Sequence, residues 1–178
     1  MKLHKGMRPQ DIVVLLKIIA YSNEGWMQKQ LANDLSLSKS EVSESLSRSV
    51  YAGLLSDDKK IVNKKALMGF IVHGIKYTFP IQGGTLAIGL TTGSVAPILK
   101  DYFPNETPLV WPDKQGSNRG LLIEPLYPGA AEASKKDPML YDLLALCDVF
   151  RIGNEKEINK ATELLGNIFG QGNDYISC

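Results

Sequence analysis

A chain of 178 residues, 44% hydrophobic and 22% charged, is long and apolar enough to bury a core as one domain or as two small ones. A formal net charge of +1 excludes a strongly basic or acidic protein, and the composition excludes wholesale disorder. Residues 1–66 carry eleven Lys/Arg against seven Asp/Glu and residues 67–178 nine against twelve, or +4 against −3, so an anionic partner is expected for the first part only.

The N-terminus MKLHKGMRPQ has no long apolar run and no stretch reaches transmembrane length, which predicts a soluble cytoplasmic protein with no membrane partner. Pro9 and Asp11 then open a segment with Ile12, Val13, Leu15, Leu16, Ile18 and Ile19 at helical spacing. Proline suits a first turn, where its missing N–H has no helical partner. The turn chemistry of NEG ends this helix near Ser22–Gly25. A shorter helix follows from Met27 to Leu35, with Leu31, Ala32 and Leu35 on one face.

Residues 36–49, SLSKSEVSESLSRS, contain seven serines and resemble low complexity. Their apolar positions are nevertheless ordered. Leu35, Leu37, Val42 and Leu46 space one face, while Lys39, Ser40, Ser43, Glu44, Ser47 and Arg48 fall largely on the other. Ser38 and Glu41 have the spacing of a capping box. A mid-helix serine costs only about 0.5 kcal/mol relative to alanine, and burying Val42, Leu46 and Val50 offsets that at about 1.5–3 kcal/mol per side chain. Ser45 and Ser49 are expected near the helix flanks, and Gly53 stands where a left-handed residue ends a helix.

LLSDDKKIV reads as two short strands about an Asp57–Asp58–Lys59 turn, and residues 64–78 as a third long helix, apolar nearly all round and buried or at an interface. Residues 80–130 are Gly- and Pro-rich with apolar bursts, and SVAPILKDYF is expected to form a short helix capped by Ser94. Asp137–Pro138 opens a further helix, and KEINKATELLGNIF another.

Helix, short helix, tight turn, longer helix and hairpin is the order of a winged helix-turn-helix. The phrase QKQLANDLSLSKSEVSESL, followed by SVYAGLL, resembles the winged helix-turn-helix transcriptional regulators, particularly MarR-like ones, over residues 8–63. The pattern departs from many relatives at the turn, where Ser36 stands in place of glycine. The resemblance implies that the second helix of the motif enters a DNA major groove, with Ser38, Lys39, Ser40, Ser43, Glu44, Ser47 and Arg48 toward the duplex and Lys59 and Lys60 on the wing. Helix-turn-helix units also serve as protein-interaction modules that never meet DNA. The stretch VWPDKQGSNRGLLIEPLYP is similar to a C-terminal region of some bacterial regulators encoded beside toxin-like or nucleotidyltransferase-like partners, and it carries no site residues over.

The second half shows no catalytic constellation. His4 and His73 with Cys147 and Cys178 have no metal-ligand spacing, and GGTLAIGLTTGS lacks both the phosphate-loop lysine and the dinucleotide fingerprint. His73 reads as a packed core or interface residue, Cys147 as a buried thiol and Cys178 as a frayed one. Ser94 is a structural cap or an anion site. Trp111, Tyr102, Phe103, Tyr127 and Arg119 either line a pocket or a partner surface, or pack a core.

The expected fold is therefore α+β: an N-terminal winged helix-turn-helix (1–66) and a smaller, mixed and mostly helical C-terminal domain (67–178). The expected function is a homodimeric, sequence-specific regulator binding double-stranded DNA, an autorepressor rather than an enzyme, with no cofactor or metal. Its second domain would dimerise and receive a small-molecule effector or a toxin-like protein partner. The other reading is an antitoxin-like or adaptor module that binds a partner protein through its C-terminal half.

Overall fold

The computed structural model describes residues 6–22, 25–104 and 106–170; His4 and Cys178 lie outside them. The chain is mixed α+β and divides into two compact units, Met1–Leu67 and Met68–Cys178. The second unit is the longer of the two, not the smaller. No described helix is long and apolar enough to cross a membrane.

In the first unit, α1 (Pro9–Ala20), α2 (Gln28–Leu35) and α3 (Lys39–Tyr51) pack on one another. α1 is central: every residue from Asp11 to Ile19 is buried. α2 ends in a left-handed residue, Ser36 at φ +53°, whose N–H donates to Asn33 O while Leu37 N–H reaches back to Ala32 O at 2.9 Å. α3 ends the same way at Gly53, φ +73°, with Leu54 N–H on Ser49 O at 2.9 Å. Both are Schellman closures, which satisfy carbonyls left over at a helix end.

The expected hairpin is reduced to a single antiparallel bridge, Leu55–Val62. Its turn is held by backbone bonds, Ser56 N–H to Ile61 O at 2.9 Å and Lys59 N–H to Ser56 O at 2.8 Å, and by side chains. Ser56 Oγ accepts from Ile61 N–H at 2.9 Å, and Asp58 Oδ1 from Lys60 N–H at 3.1 Å. Lys59 takes φ +59° between them. Backbone donors consumed in this way cannot extend the strands.

α4 (Lys64–His73) begins in the first unit and continues into the second. The single long helix expected over 64–78 is interrupted at Gly74, and a short α5 (Ile75–Thr78) follows. His73 is exposed, not packed in a core.

Among the described residues the second unit holds three strands, β1 (Leu86–Thr92), β2 (Leu109–Pro112) and β3 (Asn118–Leu122). β1 runs antiparallel to both others, and β2 pairs with β3 in parallel at Leu109–Leu121 and Val110–Leu122, which closes a three-stranded ring. So tight a closure needs bare backbone at the crossings. A Cβ on Gly89 would run into the carbonyl of Trp111, and one on Gly120 into that of Pro108.

No α-helix forms over 94–103. Gly93–Val95 make one 3₁₀ turn, and Ala96 is extended at ψ 156° because the residue before a proline, here Pro97, is driven out of the helical region. Ser94 is buried, and no side chain caps that turn. α6 (Ala130–Lys136), which sequence reading missed, precedes α7 (Pro138–Ile152) and α8 (Glu155–Phe169). α7 packs against α5, α6, α8 and β1, and is buried continuously from Leu143 to Arg151. Asp137 caps α7 by accepting from Leu140 N–H at 3.0 Å, and Asn154 with Glu157 forms a capping box on α8.

Candidate nucleic-acid interface

The serine tract is an ordered helix, and its two faces are chemically distinct. The rear of α3 buries Val42, Ser45, Leu46, Arg48 and Ser49. The front exposes Lys39, Ser40, Ser43, Glu44 and Ser47. Ser38 starts the helix as its cap: its hydroxyl accepts from Glu41 N–H at 3.1 Å, and its own N–H donates to Glu41 Oε2 at 2.8 Å. That N–H, and secondly the hydroxyl, hold the Glu41 carboxyl below its usual range. Ser38 is itself exposed, so it combines a structural task with access to a partner.

Arg48 corrects the expected assignment. Its guanidinium does not join the exposed face but turns inward, with Nε 2.8 Å from Asp11 Oδ2 and Nη2 2.7 Å from Asp11 Oδ1. Asp11 is fully buried and also accepts the Arg8 N–H at 2.8 Å, closing the first turn of α1. A buried carboxylate needs such a bidentate partner, and α3 offers no other cation on that side. The hydrogen bonds to Asp11 push the Arg48 pKa up. Sequence reading missed Asp11 because its first-turn position already explained it as a helix-start residue.

Arg48 also lies 3.6 Å from Glu44 through Nη1. The exposed Glu44 carboxylate is thereby tethered at the surface of α3 by an arginine that is itself fixed to α1. Ser45 and Ser49 are corrected as well. Both face the core rather than the flanks: Ser49 Oγ donates to Ser45 O at 2.9 Å, while Ser45 Oγ is buried with no partner in the structure.

The two loop lysines separate. Lys59 Nζ donates to Ser47 Oγ at 2.9 Å, and Ser47 Oγ donates in turn to Ser43 O at 2.9 Å. The left-handed backbone at Lys59 brings its ammonium to the exposed face of α3. Lys60 instead sets its ammonium 5.3 Å from the Trp26 ring centroid, and Trp26 Nε1–H donates to Lys60 O at 3.4 Å. Asp58 is occupied within the turn, where the Ser56 hydroxyl and then the Lys60 N–H lower its pKa. The front of α3 thus carries a hydroxyl stripe with Lys39 at one end and Lys59 at the other.

The second unit's polar centre is interior. Asp148, fully enclosed, accepts from Trp111 Nε1–H at 2.7 Å, Thr92 Oγ1–H at 2.8 Å and Arg151 Nη1 at 2.8 Å. Arg151 also donates to the carbonyls of Phe79 and Glu124 at 2.9 and 3.1 Å. Burial pushes the Asp148 carboxyl up, and Arg151 opposes it first among its partners. Of the five second-half residues named from sequence, Trp111 and Tyr127 are buried, Phe103 is partly buried, and Tyr102 and Arg119 are exposed. Cys147 is buried, and burial pushes its thiol far up.

No family model, curated protein or solved structure matches this chain.

Proposed function

We propose that residues 8–63 are a winged helix-turn-helix that binds double-stranded DNA, with α3 in the major groove, and that the protein is a homodimeric transcriptional regulator of its own operon. The observation that carries the reading is the front of α3: Lys39, Ser40, Ser43 and Ser47 exposed on one helix, with the Lys59 ammonium anchored at Ser47. From Lys39 to Ser47 the helix rises about 12 Å, a length that suits a major groove about 12 Å wide. Serines let backbone and hydroxyls approach base edges closely, and the cations at the two ends suit phosphates. Glu44, tethered by Arg48, is the group suited to accept from an exocyclic amine such as cytosine N4. Lys60, turned toward Trp26, is not assigned to the duplex.

Fluorescence anisotropy on DNA from upstream of the protein's own gene tests this. Binding is expected at low salt, and Lys39→Ala and Lys59→Ala should each reduce the salt slope by about one. Lys60→Ala should leave the slope unchanged. Absence of binding at low salt sinks the reading.

A second reading, a protein partner held by the C-terminal half, is favoured by one feature. Leu86 and Ile88, alternate residues on β1, are 59% and 60% exposed, an apolar pair on an outward strand face. Co-purification with the product of the neighbouring gene is its expected signature, and a homodimer purified alone counts against it.

A further inference from the structure

The second unit contains a cavity of about 240 Å³ between the 3₁₀ turn at Gly93–Val95 and the junction of α7 with α8. Leu109, Val149 and Ile152 give it apolar walls, and Ser94, Glu106 and Glu157 contribute polar groups to its lining. Ser94 is 5% exposed, yet its hydroxyl has no hydrogen-bond partner among the described residues. Glu157 is 6% exposed, and no basic side chain pairs with it among those residues. Its Oε2 accepts the Asn154 N–H at 2.7 Å, closing the capping box of α8 and leaving Oε1 without a described partner. An enclosed carboxylate is costly without a counter-charge. The described lining supplies none: it holds two glutamates and no Lys, Arg or His.

We infer that this cavity binds a small primary alkylammonium ion, with its ammonium donating to Glu157 Oε1 and Ser94 Oγ and its alkyl chain against Leu109, Val149 and Ile152. An ammonium has donors and no acceptor, so it suits an uncompensated carboxylate beside a spare hydroxyl oxygen. The sequence admitted Ser94 as an anion site, but the two carboxylates in the same lining repel an anion. Calcium takes about six to eight oxygen ligands, more than two carboxylates and a hydroxyl provide between apolar walls. The volume lies below the range of about 300–1,000 Å³ typical of drug-sized ligands, which limits the occupant to a short chain. Bare backbone at Gly153 keeps room near the carboxylate. A Cβ there would stand 2.6 Å from Val149 O and 3.1 Å from Glu157 Oε2. None of this depends on the DNA-binding reading of the first unit.

The test titrates the intact ¹⁵N-labelled chain with n-butylammonium chloride near neutral pH. The amide signals of Gly93, Ser94 and Gly153 are expected to move saturably, while that of Gly53 in the first unit stays. Uncharged n-butanol, of the same length, should bind about tenfold or more weakly, because it lacks the charge-assisted hydrogen bond. Glutamine also serves in a capping box, so Glu157→Gln should keep the fold and bring the amine down to the affinity of the alcohol. Ser94→Ala leaves the cap untouched and should weaken the amine while leaving butanol unchanged. Equal binding of amine and alcohol, a preference intact in Glu157→Gln, or equal losses of both ligands in Ser94→Ala overturns the site. Displacement of the amine by calcium chloride at a lower concentration than the amine itself requires makes it a metal site and also overturns the proposal. A protein lysine carries the same head and chain, so Nα-acetyl-lysine methylamide is the remaining arm. It should bind about tenfold more weakly than butylammonium, because its backbone does not fit so small a cavity. Equal affinity would assign the cavity to a lysine of a partner protein and overturn the free amine.

Discussion

Each unit is organised around a buried Asp–Arg pair, and the two pairs act differently. In the first unit Asp11 and Arg48 are 37 residues apart and join two helices, α1 and α3, by a bidentate contact. In the second, Asp148 and Arg151 lie three residues apart on α7, so their contact joins nothing by itself. What matters there is what else each member holds. Asp148 collects Trp111 and Thr92 from the small sheet, and Arg151 collects the carbonyls of Phe79 and Glu124. The first pair is a strut that sets where α3 stands, and the second is a hub that satisfies polar groups from several segments. Buried ion pairs are seldom worth much relative to well-packed apolar replacements, yet removing one partner is costly. The strut and the hub should separate on that distinction.

The largest effect is expected at the hub. Asp148→Ala removes the acceptor of two buried donors and leaves Arg151 as an unpaired interior cation, a loss of about 3–5 kcal/mol or more. Denaturant unfolding followed at Trp111 measures it. A loss under about 1 kcal/mol would mean that water enters and replaces the carboxylate, and the hub description would fail.

At the strut, Arg48→Ala or Asp11→Ala alone should cost about 3 kcal/mol through the orphaned charge. The double replacement Asp11→Leu with Arg48→Met should cost less than either single change, because the other described contacts of the pair are few: the Arg8 N–H at the start of α1 and the exposed Glu44 carboxylate. The corresponding Asp148→Leu with Arg151→Met should show no such recovery, since Trp111, Thr92 and two carbonyls still lose their partners. Equal recovery in both units would erase the comparison. Under the proposed DNA-binding reading, weakened binding by Arg48→Ala would report on the position and stability of α3, not on a lost phosphate contact, so its salt slope should match that of the parent.

The three N-terminal helices were legible in the sequence to within about two residues, because periodic apolar positions, Pro9, the Ser38–Glu41 box and Gly53 all point to the same boundaries, whereas the expected hairpin after them is only a single bridge. The inward turn of Arg48 was not legible. A basic residue near the end of an amphipathic helix reads as exposed until its partner is known, and Asp11 lies two helices away. The lysine pair was also opaque, because alternation at Lys59 and Lys60 depends on a left-handed backbone that only the side-chain bonds of Ser56 and Asp58 explain. In the second unit the capped helices α7 and α8 were readable. The three-stranded ring was not, since its strands are short, pair across long separations and owe their closure to Gly89 and Gly120 rather than to any alternating pattern.

Ser36 permits a smaller test confined to the first unit. Its φ of +53° lies in the region that glycine occupies without penalty. Ser36→Gly relieves about 1 kcal/mol of backbone strain and returns part of it through the freer unfolded chain, leaving a gain of up to about 1 kcal/mol. The Trp26 unfolding transition should shift upward while that of Trp111 stays. A fall in stability would mean that the serine side chain contributes more at this turn than its backbone costs.

The smallest expected effect concerns acid, and it has opposite signs in the two units. Glu41 titrates below its ordinary value of 4.5 because Ser38 donates to its carboxylate. Its contribution is complete above that value and is lost as pH falls through the lowered one. Asp142 on α7 titrates above its ordinary 3.8 because it is partly buried. Its contribution is complete below 3.8 and is lost as pH rises through the raised value. Between about pH 5 and about pH 3, therefore, Glu41→Gln should flatten the acid-induced decline at Trp26, and Asp142→Asn should remove a gain at Trp111. Measuring each variant against the parent cancels the titration of all other carboxylates. If both substitutions change the pH slope in the same direction, capping at α3 and burial at α7 do not govern these carboxyls as the contacts indicate.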